Sequence, residues 1–449
     1  MPDFKIFVKS KVDGKDNSLI YNTETNSLFD TETNLFIVEP LDRNKVNNSI
    51  FGHNYNWDKL NNPATKVRDI RRLKISMGLS CNYSCSYCSQ RFIPDVDENA
   101  LKHVPSFLEE LPKWFKGGTD GLGSNVKIEF WGGEPLVYWK TLKPLAEGIR
   151  AKYPNAKFLM ISNCTLLDDE KIDWLDKLGF HIGMSHDGAS YAETRGINPL
   201  DVPEKKQMIM KLYNRLAPQK RISINVVLNK KNKSRALVQE YLENIFGSEN
   251  LFINEGTLVD VYDEGSNELS IKDEEEKFDY RLNSLEEFID NKSNKFTLWG
   301  QYRNNFLKTF ERYNDIDKLK ENSVIDNPHF LTVNLKGNVI TFQNVNDISK
   351  TQSGIPHLSG NVKDFDNIKI KTISSWHNKP ECKDCPVVNL CDVASSSAEG
   401  DYFKQSCDNA FNDHVVGLCS AIYSLTKYVP YFIEGNFRED RKNIFGLSN

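Results

Sequence analysis

No apolar run in this sequence approaches the ~18–20 residues that a membrane-spanning helix needs, so no membrane partner is expected. The opening residues, Met1-Pro2-Asp3-Phe4-Lys5, lack a basic stretch followed by an apolar one, so no secretory signal is expected there. Charge of one sign is scarce too. A net −5 over 449 residues gives no reason to expect nucleic acid or an anionic lipid surface as partner. The basic run Lys230-Lys231-Asn232-Lys233-Ser234-Arg235 reads as a solvated helix start rather than a phosphate groove. Internal repeats and low-complexity tracts are missing, which argues against a solenoid. No paired carboxylates or His/Cys arrangement stands out, so no catalytic acid or base is read from the sequence. The missing membrane span and secretory signal make the cytoplasm the expected location. Nine cysteines in that reducing compartment do not make a disulfide framework. They point to metal binding or redox chemistry.

The cysteines are grouped. Cys81, Cys85 and Cys88 lie together, as do Cys382, Cys385, Cys391 and Cys407, while Cys164 and Cys419 stand alone and read as buried core. Residues 1–70 alternate short apolar runs with Asn/Thr/Asp/Glu turns and read as a β-rich segment and linker. From 71 to 260 the rhythm changes. Strand-like segments at 73–77, 126–130, 158–161, 181–184, 222–228 and 251–253 alternate with helical patterns at about 99–116, 138–152, 168–178, 203–216 and 234–245. Such alternation predicts parallel βα units. Residues 261–329 read as an acidic loop and helical connector. Residues 330–449 return to strand patterning around Gly337-Asn338, carry the second cysteine group and end in an amphipathic helix over 408–427.

The first cysteine group, Cys81-Asn82-Tyr83-Ser84-Cys85-Ser86-Tyr87-Cys88, follows the first strand of the βα region and so falls in a loop at its C-terminal end. Sites form there in βα architectures. Three thiolates on one loop can hold three irons of a four-iron cluster, leaving the fourth open, whereas an electron-transfer cluster normally takes four cysteines. A zinc knuckle is the alternative for this spacing.

Cys-x3-Cys-x2-Cys with Tyr87 before the last cysteine resembles the radical S-adenosylmethionine (SAM) superfamily. The resemblance implies a SAM-binding [4Fe-4S] cluster on Cys81, Cys85 and Cys88. It also implies reductive cleavage of SAM to methionine and a 5′-deoxyadenosyl radical, which abstracts hydrogen from a substrate. Trp131-Gly132-Gly133-Glu134-Pro135, after the second strand, resembles the family's Gly-Gly-Glu-Pro motif, with Glu134 a partner for the SAM ammonium. Two glycines there allow close backbone approach to a ligand. Ser162-Asn163 stands where the family often has Thr-Asn-Gly, Ser185-His186-Asp187-Gly188 where it often has Ser-x-Asp-Gly, and Arg195 where an arginine often meets the SAM carboxylate. His186 reads as a wall residue rather than a ligand. The implied fold is α/β, a partial (β/α)6 TIM-like barrel.

Cys382-x2-Cys385-x5-Cys391 with Cys407 downstream resembles the SPASM/twitch extension of peptide-modifying radical enzymes. The sequence departs from the full pattern at two positions, Phe342 and Ser395, which in the family serve the first auxiliary cluster. The remaining four cysteines match the second. One auxiliary [4Fe-4S] cluster is therefore implied, two clusters in all, with a four-cysteine zinc site as the alternative. The implied substrate is a peptide or protein side chain, altered by crosslinking, epimerisation or oxidation as in ribosomal peptide maturation. An electron donor such as flavodoxin or ferredoxin is implied as a further partner. A small metabolite or modified nucleobase is an alternative substrate. A non-catalytic iron–sulfur or zinc redox protein is the alternative from another class, separated from an enzyme by cleavage of SAM.

Overall fold

The computed structural model describes residues 3–23, 25–40, 65–93, 100–115, 126–248, 251–296, 329–341, 344–351, 353–370, 380–388, 390–391 and 399–446. Phe342 and Ser395 lie outside the described residues. In chain order the elements are β1 (Asp3–Ser10), β2 (Asp16–Asn22), β3 (Ser27–Asp30) and β4 (Leu35–Val38), then β5 (Arg72–Ser76), α1 (Val104–Glu110), β6 (Lys127–Trp131) and α2 (Trp139–Lys152). Next come β7 (Lys157–Ser162), α3 (Asp169–Lys177), β8 (Phe180–Ser185), α4 (Tyr191–Thr194), α5 (Pro203–Leu216), β9 (Ile222–Leu228), α6 (Arg235–Phe246) and β10 (Ile253–Leu258). The remainder comprises α7 (Glu264–Asn267), α8 (Glu274–Ile289), β11 (Phe330–Asn334), β12 (Asn338–Ile340), β13 (Leu358–Asn361), α9 (Pro380–Lys383), α10 (Gly400–Thr426) and β14 (Tyr428–Glu434).

The six strands expected from the alternating pattern form six consecutive parallel strands, β5 to β10. Their helix-facing side is apolar: Leu73, Ile75, Ile128, Phe130, Phe158, Met160, Ile182 and Ile224 are all buried, against Leu142, Ile149, Leu175 and Leu212 from the helices. The local signals act as their chemistry predicts. Asp168 caps α3 by accepting from the Lys171 amide at 2.8 Å, and Gly179 leaves that helix at φ 71°.

The opposite face mixes polar side chains with the aliphatic Leu159 and Ile161 of β7. Register pairs Lys74 with Glu129, Gly183 with Ser223 and Asn225 with Asn254. Lys74 is buried 3.2 Å from Glu129 and 4.1 Å from the centre of the Trp131 ring. Burial lowers its pKa to about 8 against the pull of Glu129.

Two pairings had no local signal. Strand β11 extends the parallel sheet beyond β5, Phe330 opposite Arg72 and Asn334 opposite Ser76, and β12 and β13 continue it antiparallel. Strand β14 adds antiparallel to β1, so residues 3–38 and 428–434 share one five-stranded sheet, order β14-β1-β2-β3-β4. Lys427 at φ 64° turns α10 into β14. The expectation of a solvated basic run needs correcting at Arg235. Its side chain is 1% exposed and donates to Asp413 at 2.9 Å and to the Tyr280 hydroxyl at 3.1 Å, tying α6 to α10 and α8. Among the described residues, no helix is long and apolar enough to cross a membrane.

Burial lowers the pKa of two enclosed histidines, His186 and His414, to about 4, although Asn198 favours the charged form of the first and Asp413 that of the second. Both are neutral in the fold at pH 7, while the unfolded chain protonates them near pH 6.5. The folded pKa is the lower one, so the stability they confer is complete above about pH 6.5 and is lost as pH falls towards 4. Each contributes a slope of about 1.4 kcal/mol per pH unit in that window. Urea unfolding at pH 7 and pH 5 should show this loss, and His414→Gln should flatten it. An equally steep loss in that variant would remove His414 as a cause.

Candidate active site

The three-cysteine loop leaves β5 at Met77 and is fastened to three other strand ends. At the second strand, Gly133 donates to the Gly78 carbonyl and Glu134 to the Ser80 carbonyl, each at 3.0 Å. At the third, Asn163 donates through its side chain to Asn82 at 2.9 Å, and Asn82 donates to Thr165 at 2.8 Å. At the fourth, the Ser86 amide donates to the Thr194 carbonyl at 2.9 Å and the Tyr87 hydroxyl to Asp187 at 2.7 Å. Within the loop the Tyr83 amide donates to the Cys81 sulfur at 3.4 Å, and the Cys88 amide to the Cys85 carbonyl at 3.0 Å.

Burial raises the pKa of Cys81, and pushes Cys85 up to about 11 against the opposing charge of Arg195. These thiols therefore hold their protons until a cation displaces them, and metal binding releases protons. Three ligand-type side chains on one braced loop fit a cluster with three protein ligands and one open iron.

The two glycines of the second strand-end motif have a definite role in the chain's own packing. A Cβ on Gly133 would lie 2.3 Å from the carbonyl oxygens of both Leu79 and Ser80, and one on Gly132 2.6 Å from that of Gly78. The close approach seen here is thus to the cysteine loop's own backbone. Gly133→Ala should cost about 1–3 kcal/mol and, by displacing the loop, lower iron loading. A variant with wild-type melting temperature and iron content would show that the loop tolerates the methyl.

Glu134 is 1% exposed and accepts from the Leu136 amide at 3.0 Å, the Ser162 hydroxyl at 2.8 Å and the Asn163 amide at 2.7 Å. Burial raises its pKa against these donors. Its carboxylate thus locks the second strand end to the third. Pro135 is buried in the 3-10 turn that Glu134 caps. Cys164 has φ 60°, the left-handed region glycine occupies without strain.

At the fourth strand end Asp187 is fully buried. It accepts from Arg195 Nε at 2.7 Å and Nη2 at 3.1 Å, from Tyr87 at 2.7 Å, from Thr194 at 3.1 Å and from the Val227 amide at 3.1 Å. Burial works to raise its pKa, but Arg195 outweighs it and holds the carboxyl below its usual range. The Arg195 guanidinium lies 5.3 Å from the Tyr87 ring centre. Ser185 ends β8, registered against Asn225. His186 is walled in: its Nδ1 accepts from the Gly188 amide at 3.1 Å, leaving Nε2 to donate to Asn198 at 3.1 Å.

Sequence reading missed Asp260 and Tyr262, which follow β10. Asp260 keeps a little accessible surface although protein surrounds it, burial raises its pKa, and Tyr262 donates to it at 3.3 Å. The next residue, Asp263, accepts from Arg91 at 2.9 Å, and Arg91 also donates to the Cys85 carbonyl at 2.8 Å, which ties this segment to the cysteine loop. A lone Asp-x-Tyr after an unremarkable strand carries no motif, so nothing local could have found it.

The second cysteine group is also assembled. Cys382, on α9, and Cys385, Cys391 and Cys407, the last on α10, line one small pocket together with Glu381, Val387, Val388, Phe411 and Arg441. Burial pushes the Cys385 thiol up to about 11, with Arg441 opposing. Four thiols lining one mostly apolar space are the donor set of a closed cluster, although among the described residues no group of three or more His, Cys, Asp or Glu side chains is arranged to hold a metal ion as it stands.

Residues 75–228 match the family model described as the radical SAM superfamily. The chain is 24% identical over 139 residues to the radical SAM cyclopropyl synthase TigE of Paramaledivibacter caminithermalis, covering 26% of this chain and 27% of that one. It is 24% identical over 126 residues to an uncharacterized protein of Methanocaldococcus jannaschii, covering 27% of this chain and 40% of that one. Both matches thus span less than half of the relative. An uncharacterized protein of Archaeoglobus fulgidus is 24% identical over 332 residues, 72% of this chain and 73% of that one. Among solved structures, native anSMEcpe with bound AdoMet and Cp18Cys peptide has the same fold at a TM-score of 0.52 and 18% identity, over 79% of this chain and 98% of that one. The cysteine loop at residues 81–88 and the Gly-Gly-Glu-Pro turn packed against it both lie within residues 75–228, where this chain carries a radical SAM domain.

Proposed function

We propose that this chain is a radical SAM enzyme that abstracts hydrogen from a peptide or protein side chain. The observation that carries this reading is the three-cysteine loop, braced by three neighbouring strand ends at the mouth of a parallel barrel. Cys81, Cys85 and Cys88 would hold the [4Fe-4S] cluster. When bound, that cluster and SAM together supply the electron and the 5′-deoxyadenosyl radical. The chain's own residues bind and orient. Gly132, Gly133, Glu134 and Pro135 set the second strand end against the cysteine loop, and Ser162 and Asn163 fix the third. Arg195, anchored on Asp187 through Nε and Nη2, keeps Nη1 for the SAM carboxylate, while Tyr87 and Ser185 complete the wall. Asp260, its carboxyl made more basic by burial, is the proton acceptor for a substrate oxidation whose electron an auxiliary cluster would take.

The peptide substrate is supported by the solved anSMEcpe structure with bound peptide, whose fold this chain shares. The four-cysteine pocket supports an auxiliary [4Fe-4S] cluster on Cys382, Cys385, Cys391 and Cys407. A flavodoxin or ferredoxin would deliver the electron. Anaerobic reconstitution should load about eight irons and eight sulfides, four of each per cluster. Reduction in the presence of SAM should release 5′-deoxyadenosine, and mass spectrometry should find modified peptide among the products of neighbouring short reading frames. Fully loaded protein that releases no 5′-deoxyadenosine would overturn the enzymatic reading. About four irons with stoichiometric zinc would make the C-terminal site a zinc site.

A further inference from the structure

We propose that Arg441 sets the reduction potential of the C-terminal four-cysteine site by donating to the Cys407 sulfur and holding a buried positive charge against it. This rests on the reading of that site as an auxiliary cluster. Arg441 ends a 3-10 turn after β14 and is only 3% exposed. Its Nη2 donates to the Cys407 sulfur at 3.3 Å, and its side chain lines the pocket that all four cysteines share. Its guanidinium carbon stands 4.7 Å from the Phe411 ring centre, so an aromatic wall fixes the plane of the fork. Its Nε is buried with no hydrogen-bond partner, a donor of the kind a protein leaves unmet only where something else accepts it. Asp408, next to Cys407 in sequence, neutralises the arginine by accepting from the same Nη2 and is itself shared with Arg438 at 2.7 Å. Arg281 flanks the same Phe411 ring but is committed to Asn412 at 2.7 Å and the Ile444 carbonyl at 3.1 Å.

Hydrogen bonds to cluster sulfurs and the local net charge are two of the determinants of an iron–sulfur potential. Each electron added to a site already ringed by thiolates increases its negative charge in a mostly apolar pocket. A fixed cation and an N–H to sulfur stabilise the reduced form more than the oxidised one, so they raise the potential. The shared carboxylate of Asp408 damps that effect.

The two partners therefore predict shifts of opposite sign. In full-length reconstituted protein carrying Cys81→Ala, Cys85→Ala and Cys88→Ala, only the C-terminal cluster contributes to an EPR-monitored redox titration. Arg441→Gln should make its one-electron reduction at least tenfold less favourable, about 59 mV more negative. Arg441→Lys, which keeps charge but not the fork, should fall between. Asp408→Asn should move the potential the other way. Wild-type potential in an iron-replete Arg441→Gln protein would overturn the proposal. If that variant fails to hold iron, Asp408→Asn decides: an unchanged or lowered potential overturns the proposal. Absence of iron at the C-terminal site of the parent protein would instead overturn the auxiliary-cluster reading itself.

Discussion

Replacing Cys81, Cys85 and Cys88 with alanine should remove about four irons and abolish 5′-deoxyadenosine release, while the protein stays folded. Each part of this expectation has its own cause. The irons are lost because the thiolates that would hold them all come from one loop. The fold persists because that loop is held by other groups: Asn82 to Thr165, Ser86 to Thr194, Tyr87 to Asp187 and the Tyr83 hydroxyl to the Ile197 carbonyl at 2.7 Å. The C-terminal site, made from separate elements, should keep its own iron, so about half the total remains. Iron and sulfide analysis with a cleavage assay separates these effects. Undiminished 5′-deoxyadenosine release by the triple variant would sink the assignment of the loop.

Asp187→Ala should destabilise the chain by about 3–5 kcal/mol, the range for removing one partner of a buried ion pair. Asp187 has no exposed surface, and Arg195's side chain is 10% exposed. Truncation leaves the guanidinium enclosed without a counter-charge, and leaves the Tyr87 hydroxyl, the Thr194 hydroxyl and the Val227 amide short of an acceptor. Because Tyr87 lies within the cysteine loop, the same change should lower the iron content of the first cluster before the fold is lost. Asp187→Asn keeps an acceptor oxygen and should cost less. A loss below about 1 kcal/mol for the alanine variant would show that Arg195 finds water or another partner. Chemical denaturation and iron analysis measure the two effects independently.

Much of this site was legible along the chain because its parts are local. Cysteine spacing, the two glycines before Glu134 and the acidic start of α3 are properties of consecutive residues. The alternation of strand and helix set the order of the βα units. Periodicity also marked the apolar face of each strand, since side-chain direction follows from backbone geometry alone. What it left open was who meets whom. Glu134 was read as a group for SAM, and its three donors from the second and third strand ends appear only once those strands lie side by side. Arg235 was read as solvated because its neighbours are basic. Its burial follows from Asp413 and Tyr280, which are distant in sequence.

By itself, then, the sequence determined the family motifs, the two cysteine groups and the six parallel strands, the first of which leads into the first group. Tertiary structure alone decided that β14 completes the sheet of β1 to β4 and that β11 extends the barrel at β5. It also tied the segment of Asp260 and Tyr262 to the cysteine loop and put Arg441 into the pocket of four cysteines. The physical reason is the same in each case. A motif announces itself when its ligands share a loop, because loop geometry restricts residue type and spacing together. A single arginine, a short edge strand or a lone aspartate is constrained only by the partner it meets, and chain folding, not chain order, supplies that partner.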